Sequence, residues 1–170
     1  MECSLLYRLY KDYAMPRDVK VLNTLRYIDQ LDAVVLNANI GNRSRSLSGY
    51  ELLVQKWVAI FLSNSLTDPL DPDSGGGMLS EIGGNATFHS LADFQAKAQL
   101  AADKTNQEIY LSQIEDGIDD EQEILSIASI VSVIQGVIDD VSQDTIDGFT
   151  ITINIRNEAG ISGDFALEIN

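Results

Sequence analysis

The chain has 170 residues, 45% of them hydrophobic, and a formal net charge of −15. Residues 1–50 carry seven Lys/Arg against five Asp/Glu, whereas residues 51–170 carry four against twenty-one, so the main body has no basic surface with which to grip nucleic acid. A single cysteine, Cys3, and a single histidine, His89, exclude an internal disulfide and a Cys/His zinc constellation.

The N-terminal stretch "MECSLLYRLYKDYAMPRD" has no basic region followed by a clean apolar run, so no signal peptide is expected. No segment approaches the roughly 18 apolar residues of a membrane span. Synthesis in a reducing cytosol is therefore expected. Leu5, Leu6, Leu9, Tyr10 and Tyr13 recur at helical spacing and predict a short amphipathic helix ending before Pro16. That helix suits either the chain's own core or a partner. From Asp18, the spacing of Val19, Leu22, Leu25, Ile28, Leu31 and Val35 predicts a second helix ending near Gly41.

"GNRSRSLSG" is a polar turn whose Arg43 and Arg45 are either solvated or directed at an acidic partner. Ser48 and Glu51 have the spacing of a capping box for the next helix, "GYELLVQKWVAIFLSNS". Leu53, Trp57, Ile60 and Phe61 form its buried stripe. The aspartates of "DPLDPDSGGG", Asp68 to Gly77, then invite comparison with a calcium loop. Asp71, Asp73 and Gly76 fit its first, third and sixth positions, but Gly75 supplies no ligand at the fifth and Ile82 stands at the twelfth. The stretch reads as a joint, with glycines that permit close approach to a neighbour.

Ser90 is placed to cap a long helix in which Leu91, Phe94, Ala98, Ala101, Thr105 and Ile109 line one face, with Gly117 past its end. In "DDEQEILSIASIVSVIQGVIDDVSQD", Ile124, Ile127, Val131, Ile134, Ile138 and Val141 follow 3,4 spacing behind an acidic cluster at Asp119, Asp120, Glu121 and Glu123. This predicts a further helix with acids at its positive end, although "SIVSVI" also suits a strand. The chain closes on two alternating runs. Phe149, Ile151, Ile153 and Ile155 share one face of the first, and Phe165, Leu167 and Ile169 share one face of the second. With "NEAGISG" between them they predict an antiparallel hairpin whose edges invite strand addition. The fold class expected is α+β, with a helix-rich core, an N-terminal helical arm and a C-terminal antiparallel β-hairpin.

No reactive constellation emerges from these residues. The pairs Glu115/Asp116 and Asp139/Asp140 are adjacent and diverge on a helix. His89 beside Ser90 lacks a nucleophile motif, and the glycines of "SGGGMLSEIGGN" lack a phosphate-loop lysine. No enzymatic activity, cofactor or metal is expected.

The helix "YELLVQKWVAIFLSNS", the loop carrying "GGGMLSEIGGN", the acidic-capped helix "DDEQEILSIASIVSVI" and the final strand "DGFTITINIRNEAG" occur in an order that resembles the sheath-initiating baseplate wedge proteins of contractile phage tails. That family carries a lysozyme-like name and has counterparts in type VI secretion. The resemblance spans roughly Ser48 to Asn170. The family's loop arginine and its Glu-Pro-Arg triplet have no counterpart here.

The resemblance implies a non-enzymatic subunit of the virion's tail baseplate, made in the host cytoplasm and present in several copies of a symmetric assembly. It divides the chain into an arm, 1–47, and a wedge-like α+β domain, 48–170. The subunit would join the hub and tube to other wedge proteins and template the tail sheath, with no nucleic acid or membrane partner. Phe149, Ile151, Ile153, Ile155, Phe165, Leu167 and Ile169 would form the templating strand edge. Leu5, Leu6, Leu9, Tyr10 and Tyr13 would anchor a second partner. A head–tail connector or tail-completion ring protein is the alternative, distinguished by closing into a ring on its own.

Overall fold

The computed structural model describes residues 18–19, 22–28, 32–38, 46–63, 75–78, 91–138 and 145–169. The N-terminal segment Leu5 to Tyr13 lies outside them, as do most of the Asp68–Gly77 loop and the Asp139/Asp140 pair. Among the described residues nine elements follow in chain order: β1 (Asp18–Val19), β2 (Leu22–Ile28), β3 (Ala33–Ala38), β4 (Ser46–Leu47), α1 (Tyr50–Leu62), α2 (Leu91–Asp116), β5 (Leu125–Ile138), β6 (Thr145–Asn157) and β7 (Ser162–Ile169). The fold class is α+β.

One five-stranded sheet has the order β2-β3-β7-β6-β5, and β1 pairs with β4 in a separate two-stranded ribbon. All neighbours in the large sheet are antiparallel except β3 and β7, which run parallel through Val34↔Phe165 and Val35↔Ala166. Residues 22–38 thus belong to the same sheet as the C-terminal strands.

Two predicted helices are corrected to strands. Within the segment predicted as a helix from Asp18 to near Gly41, Leu22–Ile28 and Ala33–Ala38 pair as the antiparallel strands β2 and β3, and Asp32 just before β3 takes a left-handed conformation (φ 49°); aspartate tolerates this region better than most residues. The segment from Asp119 to Ile138 forms a turn and then β5. Seven of the fourteen β5 residues are Ile or Val, which suit a pleated surface. The helical spacing was produced by β-bulges. Register shifts at Leu125/Ile127 and Ile130/Ser132 each insert a residue into β5, whereas the shift at Gln135/Val137, opposite Phe149 and Ile146, puts the extra residue on β6. The core-packed side chains Leu125, Ala128, Ile130 and Val133 are consequently spaced 3, 2, 3 instead of 2.

The remaining elements keep the expected periods. α1 packs Leu53, Trp57, Val58 and Phe61 on the sheet, and α2 adds Phe94, Ala98, Ala101, Ala102 and Ile109. Beneath them lie Ile151, Ile153 and Ile155 of β6 and Leu167 of β7. Trp57 stacks on Phe61 with centroids 4.9 Å apart, and Phe94 stacks on Phe149 at 4.0 Å and 11°. Leu91, expected on the buried stripe, is exposed. α2 ends as expected at Gly117 (φ 62°), where the Ile118 N–H reaches the Gln113 carbonyl and the Gly117 N–H reaches that of Ile114, a Schellman closure.

The start of α1 is held differently from the predicted capping box. Its N-cap is Gly49, with no side-chain cap. The Gly49 N–H instead donates to Glu123 Oε1 at 2.9 Å. One acid of the cluster read as the start of its own helix therefore sits at the positive end of α1. At the other end of α1, the Gly76 N–H donates to the Ile60 carbonyl and the Gly77 N–H to that of Ser63, both at 2.7 Å, satisfying terminal carbonyls that the helix itself leaves open.

Tyr50 fixes α1 to the hairpin. Its hydroxyl donates to the Ile155 carbonyl at 2.6 Å, and its ring packs on Phe165. Burial, reinforced by the Asp164 carboxylate and opposed by a hydrogen bond from the Gly163 backbone, pushes the phenol from 10.0 up to about 12. The native state therefore holds its proton after the unfolded chain has released it. The stability tied to this group is complete below pH 10 and lost as pH rises from about 10 through 12. Tyr50→Phe is expected to cost about 1 kcal/mol at neutral pH and to flatten the alkaline fall, as read from urea midpoints between pH 8 and 11.

Candidate functional site

β5 is an outer strand of the sheet, and α2 runs antiparallel to it along part of that edge. Asn106, Tyr110 and Gln113, at i, i+4 and i+7, occupy one flank of α2. Asn106 Nδ2 donates to the Ala128 carbonyl at 2.8 Å, and the Tyr110 hydroxyl donates to the Ser126 carbonyl. Gln113 Nε2 donates to the Glu123 carbonyl at 2.7 Å, while its Oε1 accepts from the Leu125 N–H at 3.2 Å. Asn106 Oδ1 also accepts the Trp57 indole N–H at 2.8 Å. One amide thereby joins α1, α2 and β5. Burial raises the Tyr110 phenol above its usual 10.0, helped by the nearby Glu158 carboxylate.

An uncovered edge strand offers unpaired backbone groups to any passing strand. The α2 side chains close that opening from Glu123 to Ala128 only. Among the described residues, no side-chain bond to the backbone of Ile130 to Gln135 is seen. Exposed aliphatics stand on either side of the point where the sealing ends: Ile127 is 54% and Val131 55% exposed. The arrangement suits docking of an extended segment, with main-chain bonds giving affinity and alternate side chains giving register.

The turn before β5 is tied to the β6–β7 turn through Asn157, which is buried. Its Nδ2 donates to the Gln122 carbonyl at 3.0 Å, and its Oδ1 accepts the Ile161 N–H at 2.7 Å. The edge therefore starts from a fixed point.

The predicted hairpin residues are brought together, but as core. β6 lies between β5 and β7, with hydrogen-bonded partners on both sides, so the expectation that Phe149, Ile151, Ile153 and Ile155 form an open edge is corrected. Ile151, Ile153 and Ile155 are fully buried, and Phe149 lies under Phe94. Leu167 is buried, Phe165 is half-buried against Tyr50, and Ile169 pairs in register with Phe149. Even the opposite side of β6 is closed, with Thr150 and Thr152 buried. Leu5, Leu6, Leu9, Tyr10 and Tyr13 lie outside the described residues.

The edge residues were missed because β5 was read as a helix; "SIVSVI" was the signal that could have found them. Between α1 and α2, a cleft lined by Leu52, Lys56, Ile109 and Gln113 has space for no more than a water-sized molecule. Among the described residues, no group of three His, Cys, Asp or Glu side chains is placed to hold a metal ion, and no helix is long and apolar enough to cross a membrane. No known protein family, curated protein or solved structure matches the chain.

Proposed function

We propose that the chain is a structural subunit of a contractile-tail baseplate that acts by assembly and not by catalysis, joining hub and wedge partners and seeding the sheath by strand addition. The observation that carries this reading is the half-sealed edge of β5, with Ile127 and Val131 exposed beside it. The tail assignment itself rests on the resemblance of the sequence from Ser48 to Asn170 to sheath-initiating wedge proteins, of which the helix α1, the glycine loop and the final alternating strands remain, while the acidic-led segment read there as a helix forms β5. The templating role passes from the hairpin β6–β7 to its neighbour β5, which extends the same antiparallel meander to the sheet edge.

The test is a paired charge substitution, Ile127→Lys with Val131→Lys. Both side chains are already more than half exposed, so stability should change by less than about 0.5 kcal/mol per site, while lysines on an edge oppose pairing. Co-sedimentation with sheath and wedge fractions is expected for the native chain and lost for the double variant. Equal binding by both would remove β5 from the interface. A closed ring formed by the native chain alone would favour the connector.

A further inference from the structure

We propose, resting on the reading of β5 as a strand acceptor, that Asp103 selects the incoming strand by a lysine or arginine set among uncharged residues. Asn106, Tyr110 and Gln113 seal β5 from one flank of α2, and Asp103 and Gln99 continue that row toward the helix start, at the same 3 and 4 spacing. These two do not repeat the sealing. Gln99 Nε2 donates instead to Asp103 Oδ1 at 2.9 Å. Because α2 runs antiparallel to β5, a rise of about 1.5 Å per residue carries Asp103 and Gln99 about 5 and 10 Å past Asn106, which is bonded at Ala128. Both therefore stand alongside the open backbone that begins at Ile130. A strand added there would lie about 4.8 Å outside β5, beneath these two side chains.

Charge decides what fits. β5 has no Asp, Glu, Lys or Arg from Leu125 to Ile138, so its side chains fix register without choosing a sign. Asp103 is exposed and supplies the sign: a cation on the α2 side of the incoming strand meets its carboxylate, and an acid there is repelled. Lys97 and Lys104 lie about 180° and 160° round the helix from Asn106, away from this row. On its other side the incoming strand meets Val131, which is 55% exposed, and takes apolar residues there. A second copy fits poorly, because its own β5 brings no cation and each chain carries a net charge of −15.

Short fluorescein-labelled peptides of alternating threonine and valine, with a central threonine replaced by lysine or by glutamate, test this by fluorescence anisotropy on the full-length protein. The lysine peptide is expected to bind about fivefold tighter than the glutamate peptide at low salt, with the difference fading at high salt. Asp103→Asn should remove the preference and Asp103→Lys reverse it, both without moving the thermal midpoint, because the position is exposed. Equal binding of the two peptides, or a preference that survives Asp103→Asn, overturns the selection while leaving β5 an acceptor. A peptide with proline in place of its valines cannot pair as a strand and should not bind. Binding undiminished by proline, or absent for every peptide, overturns the acceptor reading and the selection with it. Self-association of the native chain that Ile127→Lys with Val131→Lys abolishes also overturns the proposal, by giving the edge to a second copy.

Discussion

Replacing Asn106 by leucine is expected to destabilise the protein by about 2–4 kcal/mol, because it leaves two partly buried polar groups without partners, each costing about 1–3 kcal/mol. The two are the Trp57 indole N–H and the Ala128 carbonyl, both now 2.8 Å from the Asn106 amide. Leucine keeps the branching of asparagine at Cγ but is larger, so no cavity is left and any overpacking adds to this loss. Urea unfolding followed by fluorescence of Trp57, the sole tryptophan, reads the shift in midpoint directly. A second consequence separates this bond from an ordinary core contact. Freeing the Ala128 carbonyl lengthens the open edge of β5, so the variant should self-associate at concentrations where the native chain does not. A loss below about 0.5 kcal/mol would show that the amide does not join the three elements.

Gly76→Ala is the second large effect, at about 2–4 kcal/mol. A Cβ at this position would meet Thr105 Oγ1 at 2.6 Å, the Phe61 carbonyl oxygen at 2.7 Å and Phe61 Cα at 2.8 Å. Two of these atoms are backbone at the end of α1, which cannot swing aside. Relief requires moving the glycine segment outward, which strains the Gly76 N–H bond to Ile60 and the Gly75 N–H bond to Glu108 Oε2. Overpacking contributes about 1–3 kcal/mol and a lost hydrogen bond about 1 more. Gly117→Ala is the control. Its φ of 62° disfavours a side chain, but nothing lies within 4 Å of the added carbon, so the cost is limited to about 1 kcal/mol of backbone conformation. Thermal midpoints of the two variants should differ accordingly, and equal losses would remove the close approach as the cause.

These sites show why parts of the protein were legible and others were not. α1, α2, β7 and the part of β6 from Phe149 to Asn157 keep an unbroken period, so Trp57 and Phe61, Ala98 and Thr105, or Ile151 and Ile153, declare their shared faces. The glycine run near Gly76 was readable as a tight joint because glycine packs where other residues collide. β5 was hidden by its own bulges, which displace Ala128 and Val133 from strand alternation. β2 and β3 were hidden because their turn at Asp32 uses neither glycine nor proline, and a register shift between Thr24 and Arg26 disturbs the alternation. The candidate site was the least visible part. Asn106, Tyr110 and Gln113 read as polar residues on a solvated flank until β5 is placed beside them, since their partners are backbone groups 10 to 22 residues away.

The division of β5 into a sealed and an open half is most directly tested by native-state hydrogen exchange on the full-length protein, alone and with sheath or wedge fractions. Peptides covering Leu125 to Ala128 should exchange slowly in both conditions, whereas those covering Ile130 to Gln135 should exchange faster alone and slow on binding. Uniform protection of β5 in the free protein, or binding-induced protection confined to other elements, would contradict strand addition at this edge.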